Sequence, residues 1–407
     1  MSSAGVVVVG AGQAGYQTAE SLRQEGYDGP ITILGDEPYA PYQRPPLSKA
    51  YLLGETDKER LKFRPENFYA ERNIDLRVNT SVNSIERDTK QVTLLGGDIL
   101  DYDHLVLATG ARVRELPVPG ADLEGVFYLK TLDDIDRIEA HLAKTENVVV
   151  IGAGFIGLEF AAVARKLDKD VTVLEAAPRV MGRAVSPMIS VFFTKVHRDN
   201  GANVLCDAMV SELTGEGGLV TGVTCADGAT YPADLVVVGI GVIPNVELAD
   251  GAGLACDNGI VVDEFCRTAD PNIYAAGDCA AYHHPFADRL IRLESVQNAA
   301  DQGRTVGAAI AGNERPYGGV PWFWSDQCGL KLQMAGLLEG CDQTVVRGAM
   351  EDGKFSLFHF RSGVLRAVDA VSKPADYVQG RKLMEAGISP TPEQAGDSEF
   401  KLKGLLT

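Results

Sequence analysis

The chain has 407 residues, 45% apolar and 23% charged, with a formal net charge of −18. That length exceeds what one core serves and calls for two or three domains. The acid excess argues against a general nucleic-acid or anionic-membrane binder, while leaving room for a local basic patch. No apolar run reaches the roughly 18 residues of a membrane span, and no basic segment precedes an apolar one at the start, so a cytoplasmic protein is expected.

The chain opens on Val6-Val7-Val8-Val9-Gly10-Ala11-Gly12-Gln13-Ala14-Gly15. A β-branched run into Gly-x-Gly-x-x-Gly predicts a buried strand, a tight turn and a helix. Gly10 permits the turn, Gly12 lets the backbone approach a pyrophosphate, and Gly15 lets the helix pack close to the strand. The helix start then presents unpaired N–H groups to phosphates. Residues 17–25 read as an amphipathic helix. A second strand from Ile31 ends at Asp36, where a ribose hydroxyl needs an acceptor.

Tyr39 to Lys49 contains Pro41, Pro45 and Pro46 and reads as a stiff loop, with a helix starting at or after Ser48. It carries Arg44 and Lys49 either to a cofactor or to solvent; the pattern leaves both readings open. A short buried strand ends at Ala108-Thr109-Gly110-Ala111, and residues 130–144 read as a helix.

The glycine device recurs at Val148-Val149-Val150-Ile151-Gly152-Ala153-Gly154-Phe155-Ile156-Gly157, followed by a strand ending at Glu175. Two copies imply two dinucleotides. Leu235 to Gly241 echoes the strand before Thr109, so the second nucleotide domain is inserted in the first. The expected architecture is α/β: two Rossmann-like domains (1–112 with 242–318, and 113–241) and an α+β domain with an antiparallel sheet over 319–407. Gly215 to Gly218 reads as a hairpin turn. Asp278, after Gly277, accepts from a cofactor hydroxyl or makes an Asx turn. A helix opens at Val296 and runs to about Ala311, with an anion-friendly N-terminus. Trp322 and Trp324, the two tryptophans of the chain, either pack an interface or line a redox site.

All seven cysteines lie at or beyond position 206, and no Cys-x-x-Cys pair occurs. Neither a disulfide framework nor a zinc or iron–sulfur site is suggested, so no metal is expected.

Arg44-Pro45-Pro46-Leu47-Ser48-Lys49, Leu107-Ala108-Thr109-Gly110, Gly157-Leu158-Glu159, Gly277-Asp278, Glu294-Ser295-Val296-x-Asn298 and Pro321-Trp322-Phe323-Trp324-Ser325-Asp326-Gln327 join the two glycine turns in one pattern. With them the chain resembles, over essentially its whole length, the ferredoxin reductases of the two-dinucleotide flavoprotein superfamily, in the putidaredoxin reductase branch. The resemblance implies that the first turn binds FAD and the second NADH. It places Gly10, Gly12, Ala14, Gly15, Asp36, Arg44, Pro45, Lys49, Val82, Ala108, Thr109, Gly110, Lys130, Asp278, Val296 and Trp324 at FAD positions, with Val82 and Val296 acting through backbone groups. Gly152, Gly154, Ile156, Gly157, Glu159 and Glu175 fall at NADH positions.

Lys49 and Glu159 are expected to pair beside the flavin and to serve hydride transfer. Glu175 should favour NADH over NADPH, an effect that Arg179, the nearest cation, softens. The helix from Val296 should aim its N-terminus at the flavin pyrimidine edge. Disulfide reductases of the superfamily need cysteine on the segment after the first acid. This chain has Lys49 and prolines there, so electrons should pass to a separate 2Fe–2S ferredoxin that feeds a monooxygenase of the cytochrome P-450 class or a dioxygenase. Arg64, Arg304 and Lys331 are expected to dock that acidic partner, with the reductase a monomer or weak homodimer. A rubredoxin reductase, an NADH oxidase with another acceptor, and an NADH-sensing flavoprotein of the apoptosis-inducing-factor type are the alternatives.

Overall fold

Val6–Val9 is buried on both faces and pairs in parallel on both edges, with Ile31–Leu34 and with His104–Leu107. A strand so placed has no solvent face, which is why its sequence is a continuous β-branched run and not an alternation. The computed structural model describes residues 4–406. The chain divides into two compact units. One runs to Gln43 and takes in Lys58–Arg112 and Ile243–Pro321; the other holds Arg44–Asp57, Val113–Val242 and the chain from Trp322.

The first unit is built on a five-stranded parallel sheet in the order Ile273–Ala275, His104–Leu107, Val6–Val9, Ile31–Leu34, Ile74–Arg77. A three-stranded antiparallel meander, Val82–Glu86 with Gln91–Leu94 and Ile99–Asp101, accompanies it. The helix after the first turn is Gln13–Gln24 and begins directly at Gly12. Its first turn is Gln13, Ala14 and Gly15, with no large apolar side chain to show a helical period, so the pattern alone places its start later. Helix Val296–Ile310 lies against it at glycine contacts. A Cβ on Gly303 would stand 2.8 Å from the Ala14 carbonyl oxygen, and one on Gly307 2.6 Å from Ser21 Cβ.

The second unit has its own five-stranded parallel sheet, in the order Asn203–Leu205, Asp170–Leu174, Asn147–Ile151, Leu235–Val238, Val126–Tyr128. The helix expected over 130–144 is Leu132–Leu142, its start set by a capping box between Thr131 and Asp134. The hairpin of Val210–Glu216 and Leu219–Cys225 turns at Gly217 and Gly218, both with positive φ. From Trp322 onward, five antiparallel strands run in the order Trp322–Gln327, Leu330–Gly336, Val364–Val371, Lys354–Arg361, Gln343–Ala349, joined by helix Pro374–Glu385. Arg347 ties the last segment down, donating to the carbonyls of Asp397 and Phe400 and to Asp376.

Leu47–Tyr51 is one wide helical turn in which Lys49 leaves helical geometry (φ −135°, ψ −107°). Among the described residues no helix is long and apolar enough to cross a membrane.

Candidate functional site: two dinucleotide turns and a buried ion pair

The two glycine turns have the same anatomy. Gly10 has φ +113°, and a Cβ there would meet the Ala108 carbonyl oxygen at 2.1 Å; one on Gly15 would meet the Gly10 carbonyl oxygen at 1.9 Å. Gly152 has φ +101°, and a Cβ there would meet the Gly239 carbonyl oxygen at 2.4 Å; one on Gly157 would meet the Gly152 carbonyl oxygen at 2.2 Å. The first and third glycines of each turn are therefore dictated by the protein's own backbone. A Cβ on Gly12 or Gly154 would meet nothing within 4 Å. Each of these middle glycines is the N-cap of its helix, and neither helix start is capped by a side chain. Open space beside a bare helix N-terminus fits a pyrophosphate, so the residues present fit two dinucleotides.

The acids after the second strands differ. Asp36 is exposed. Glu175 is turned onto its own turn, with Oε2 accepting from Ala153 N at 2.7 Å and Oε1 from Ala177 N at 2.8 Å. Arg179 is fastened elsewhere: its guanidinium donates to the Val185 carbonyl at 2.7 Å, to Ser190 Oγ at 2.9 Å and to the Gly182 carbonyl. The softening expected of Arg179 therefore has to compete with three bonds it already makes. Ile156, at the start of the second helix, is 49% exposed although apolar.

Around the first turn, Ala14 is buried, and a Cβ on Gly277 (φ +85°) would stand 3.0 Å from Ala14 Cβ. Asp278 comes next and is half-buried; its carbonyl accepts from Arg292 at 3.1 Å. Thr109 Oγ1 donates to the Asn245 carbonyl at 2.7 Å, and Asn245 Nδ2 donates back to the Thr109 carbonyl at 2.9 Å, which fixes the Ala108-Thr109-Gly110 turn. Ser295 caps the helix that opens at Val296 by accepting from Asn298 N at 3.1 Å. Val82 opens the first strand of the meander. No sequence motif singles out Gln302. Its Oε1 accepts from Gly277 N at 2.8 Å, while its buried Nε2 and the buried Oδ1 of Asn298 have no protein partner. Two orphaned polar atoms beside Gly277 suit a site that holds a polar ligand.

The segment Arg44–Asp57 carries its own contacts. Arg44 donates to the Lys130 carbonyl at 2.9 Å, Pro45 is its neighbour in the chain, and Tyr51 donates to Asp136 at 2.8 Å. Lys49 Nζ lies 2.9 Å from Glu159 Oε1 and 3.8 Å from Asp326 Oδ2. Glu159 is almost fully buried, and three donors converge on it: Lys49, Ser48 Oγ (2.9 Å to Oε2) and Ser325 Oγ (2.5 Å to Oε1). Burial raises the carboxyl above its ordinary range, opposed by the Lys49 charge and by the two hydroxyls. The expected pairing of Lys49 with Glu159 is thus present in the protein itself. Ser48, Ser325 and Gln327, whose Nε2 donates to Ser325 Oγ at 3.0 Å, are additions. Trp324 is half-buried and tilts against Trp322 (centroids 5.8 Å apart); Phe323 packs on Phe155 at 4.7 Å.

None of the three docking candidates is an isolated cation. Arg64 pairs with Glu20 at 2.8 Å, Lys331 with Asp326 at 3.0 Å, and Arg304 with Asp301. The seven cysteines are free thiols, and none lies on Arg44–Asp57.

Two pyrophosphate-fitting turns on separate parallel sheets define a two-dinucleotide oxidoreductase. Residues 4–303 match the family described as pyridine nucleotide-disulphide oxidoreductase, and residues 322–406 match the reductase C-terminal family. The chain belongs to the pyridine nucleotide-disulphide oxidoreductase family; it is an oxidoreductase that binds FAD and uses a nicotinamide nucleotide. It is 50% identical to rhodocoxin reductase of Rhodococcus erythropolis, over 98% of this chain and 93% of that one. It superposes on the ferredoxin reductase for the CYP199A2 system from Rhodopseudomonas palustris with a TM-score of 0.97, at 48% identity over 99% and 100% of the two chains. It superposes equally (TM-score 0.97, 42% identity, 100% and 99% covered) on the covalent putidaredoxin reductase–putidaredoxin complex.

Proposed function

We propose that the protein is an NADH-dependent ferredoxin reductase that passes electrons to a 2Fe–2S ferredoxin serving a cytochrome P-450 monooxygenase or a dioxygenase. The observation that carries this reading is the composition of Arg44–Asp57. Where a thiol relay would need cysteine, this segment has Lys49, held by a buried carboxylate. Full-length similarity to reductases of rhodocoxin, of a CYP199A2 system and of putidaredoxin supports the same acceptor class. When bound, FAD would supply the conversion between a hydride, taken as two electrons at once, and electrons released singly, which a nicotinamide alone does not provide.

The chain's own residues supply placement and charge. Gly10, Gly12 and Gly15, with the start of helix Gln13–Gln24, hold the FAD pyrophosphate, and Asp36 accepts from its ribose. Ala14, Arg44, Pro45, Val82, Ala108, Thr109, Gly110, Lys130, Asp278, Val296 and Trp324 complete that site. Gly152, Gly154, Ile156 and Gly157 hold the NADH pyrophosphate, and Glu175 accepts from the ribose 2′-hydroxyl and repels a 2′-phosphate. Lys49 presents a cation where negative charge develops on hydride transfer, and Glu159 keeps that cation in place. Arg64, Arg304 and Lys331 offer the partner cations that are already paired, so docking requires exchange of one carboxylate for another. The protein acts in the cytoplasm as a monomer or weak homodimer.

The test is anaerobic reduction of purified acceptors by NADH. A 2Fe–2S ferredoxin should be reduced at least ten times faster than a rubredoxin or a disulfide substrate. Preference for rubredoxin or for the disulfide would overturn the assignment.

A further inference from the structure

A line of buried side chains leads away from Glu159, starting at Oε1, the oxygen that Lys49 also meets. Ser325 Oγ lies 2.5 Å from Glu159 Oε1, Gln327 Nε2 lies 3.0 Å from Ser325 Oγ, and His197 Nε2 lies 3.0 Å from Gln327 Oε1. Cys328 Sγ closes the line, 3.7 Å from His197 Nδ1. Ser325, Gln327 and His197 are each at most 1% exposed. The polarity of this line is determined. Gln327 Nε2 lies 3.6 Å from the Met181 sulfur, which can accept but not donate, so this is the amide nitrogen end, and it donates to Ser325 Oγ. Its oxygen end then requires a proton on His197 Nε2, which leaves Nδ1 as the acceptor for the Cys328 thiol. With Gln327 donating to it, the Ser325 oxygen has its own proton left to give, and the nearest acceptor is the carboxylate. Every donor points toward Glu159.

We propose that Ser325, Gln327 and His197 are positioning residues: a one-way hydrogen-bond chain that keeps Glu159 ionised in a buried site, and so keeps Lys49 fixed. This deepens the reading of Lys49 and Glu159 given above and rests on it for its consequence in hydride transfer, but the hydrogen-bond chain is a property of this protein's own side chains. The charged and titratable groups that face Glu159 are Lys49 from the wide turn and, one step further, Asp326, which is shared between Lys49 and Lys331; His197 and Cys328 stand at the far end. Burial holds His197 below its ordinary range, which keeps it neutral and able to serve as donor at Nε2 and acceptor at Nδ1.

The experiment is an infrared titration of the FAD-loaded protein, with the Glu159 carboxyl band isolated by subtraction of Glu159→Gln. Loss of a hydrogen bond to an ionised carboxylate should raise the midpoint by about one pH unit or more in Ser325→Ala, and by roughly half a unit in Gln327→Met and in His197→Leu. Ser325→Thr, which keeps the hydroxyl, should stay within about 0.3 unit of the parent. If Ser325→Ala does not fold, the Gln327 and His197 variants decide. Unchanged midpoints in both of these, with normal melting temperatures, would overturn the hydrogen-bond chain; so would Ser325→Thr shifting as far as Ser325→Ala. The titration needs no ferredoxin, so a protein that fails to reduce ferredoxin yet shows these shifts would reject the acceptor and leave the hydrogen-bond chain standing.

Discussion

The two dinucleotide turns share a backbone and differ in the helix each one opens. Gly10 N bonds the Leu34 carbonyl and Gly152 N the Leu174 carbonyl, both at 2.8 Å; Tyr16 N bonds Gly12 and Leu158 N bonds Gly154, both at 3.0 Å. Two residues past the third glycine, the first turn has Gln17, buried and paired within its own helix to Ser21, while the second has Glu159, buried and met by Lys49. Repetition of the glycines fixes geometry. The residue at this one position decides whether the helix merely packs or also carries a buried carboxyl group that Lys49 and two serines meet.

The largest effects should come from the shared part. Gly15→Ala and Gly157→Ala, each forcing a Cβ against a carbonyl oxygen, should cost about 3 kcal/mol or more in urea unfolding. Gly12→Ala and Gly154→Ala should leave stability within about 1 kcal/mol yet lower flavin retention in the first case and NADH affinity in the second by tenfold or more. Equal melting losses at all four positions would break the parallel.

The swap at the differing position comes next. Gln17→Glu introduces a buried acid with no lysine beside it and should destabilise by roughly 2–3 kcal/mol at pH 8, recovering toward pH 5 as the acid protonates. For Glu159 the sign is the same and the size smaller. Its folded-state carboxyl lies above its unfolded value, so its contribution is fully present below the unfolded pKa and is lost as pH rises through the folded one. Relative to Glu159→Gln, the parent should therefore lose stability as pH is raised from about 4 toward neutrality. Melting curves across that range check both variants.

Glu175→Ala removes an acceptor from two backbone N–H groups and should cost about 1 kcal/mol. It should also narrow the preference for NADH over NADPH severalfold, read as the ratio of kcat/KM. The smallest effects belong to the paired surface cations. Arg304→Glu and Arg64→Glu should slow ferredoxin reduction by about two- to fivefold at low salt, an effect that fades near 0.15 M.

Both strand–glycine–helix units, the insertion of one in the other and the antiparallel C-terminal sheet could be read from local pattern, because β-branched runs, glycine turns and alternation are all short-range signals. The Lys49–Glu159 pair came from resemblance, not from pattern. Long-range contacts lay out of reach. Ser325 meets Glu159 across 166 positions, and His197 meets Gln327 across 130; no spacing along the chain announces such contacts. Glu175 was recognisable as an acid at a strand end, but its turn toward Ala153 and Ala177 depends on side-chain rotamer. The cations Arg64, Arg304 and Lys331 looked free because their partners Glu20, Asp301 and Asp326 are set beside them by folding.

Lys49, held by Glu159, is proposed as the cation that serves hydride transfer. Anaerobic stopped-flow mixing with NADH, followed by flavin bleaching, measures that step directly. Lys49→Met should slow bleaching by at least tenfold at saturating NADH, and Glu159→Gln by less. Bleaching at the parent rate in Lys49→Met, in protein that retains its flavin and melts normally, would contradict the account.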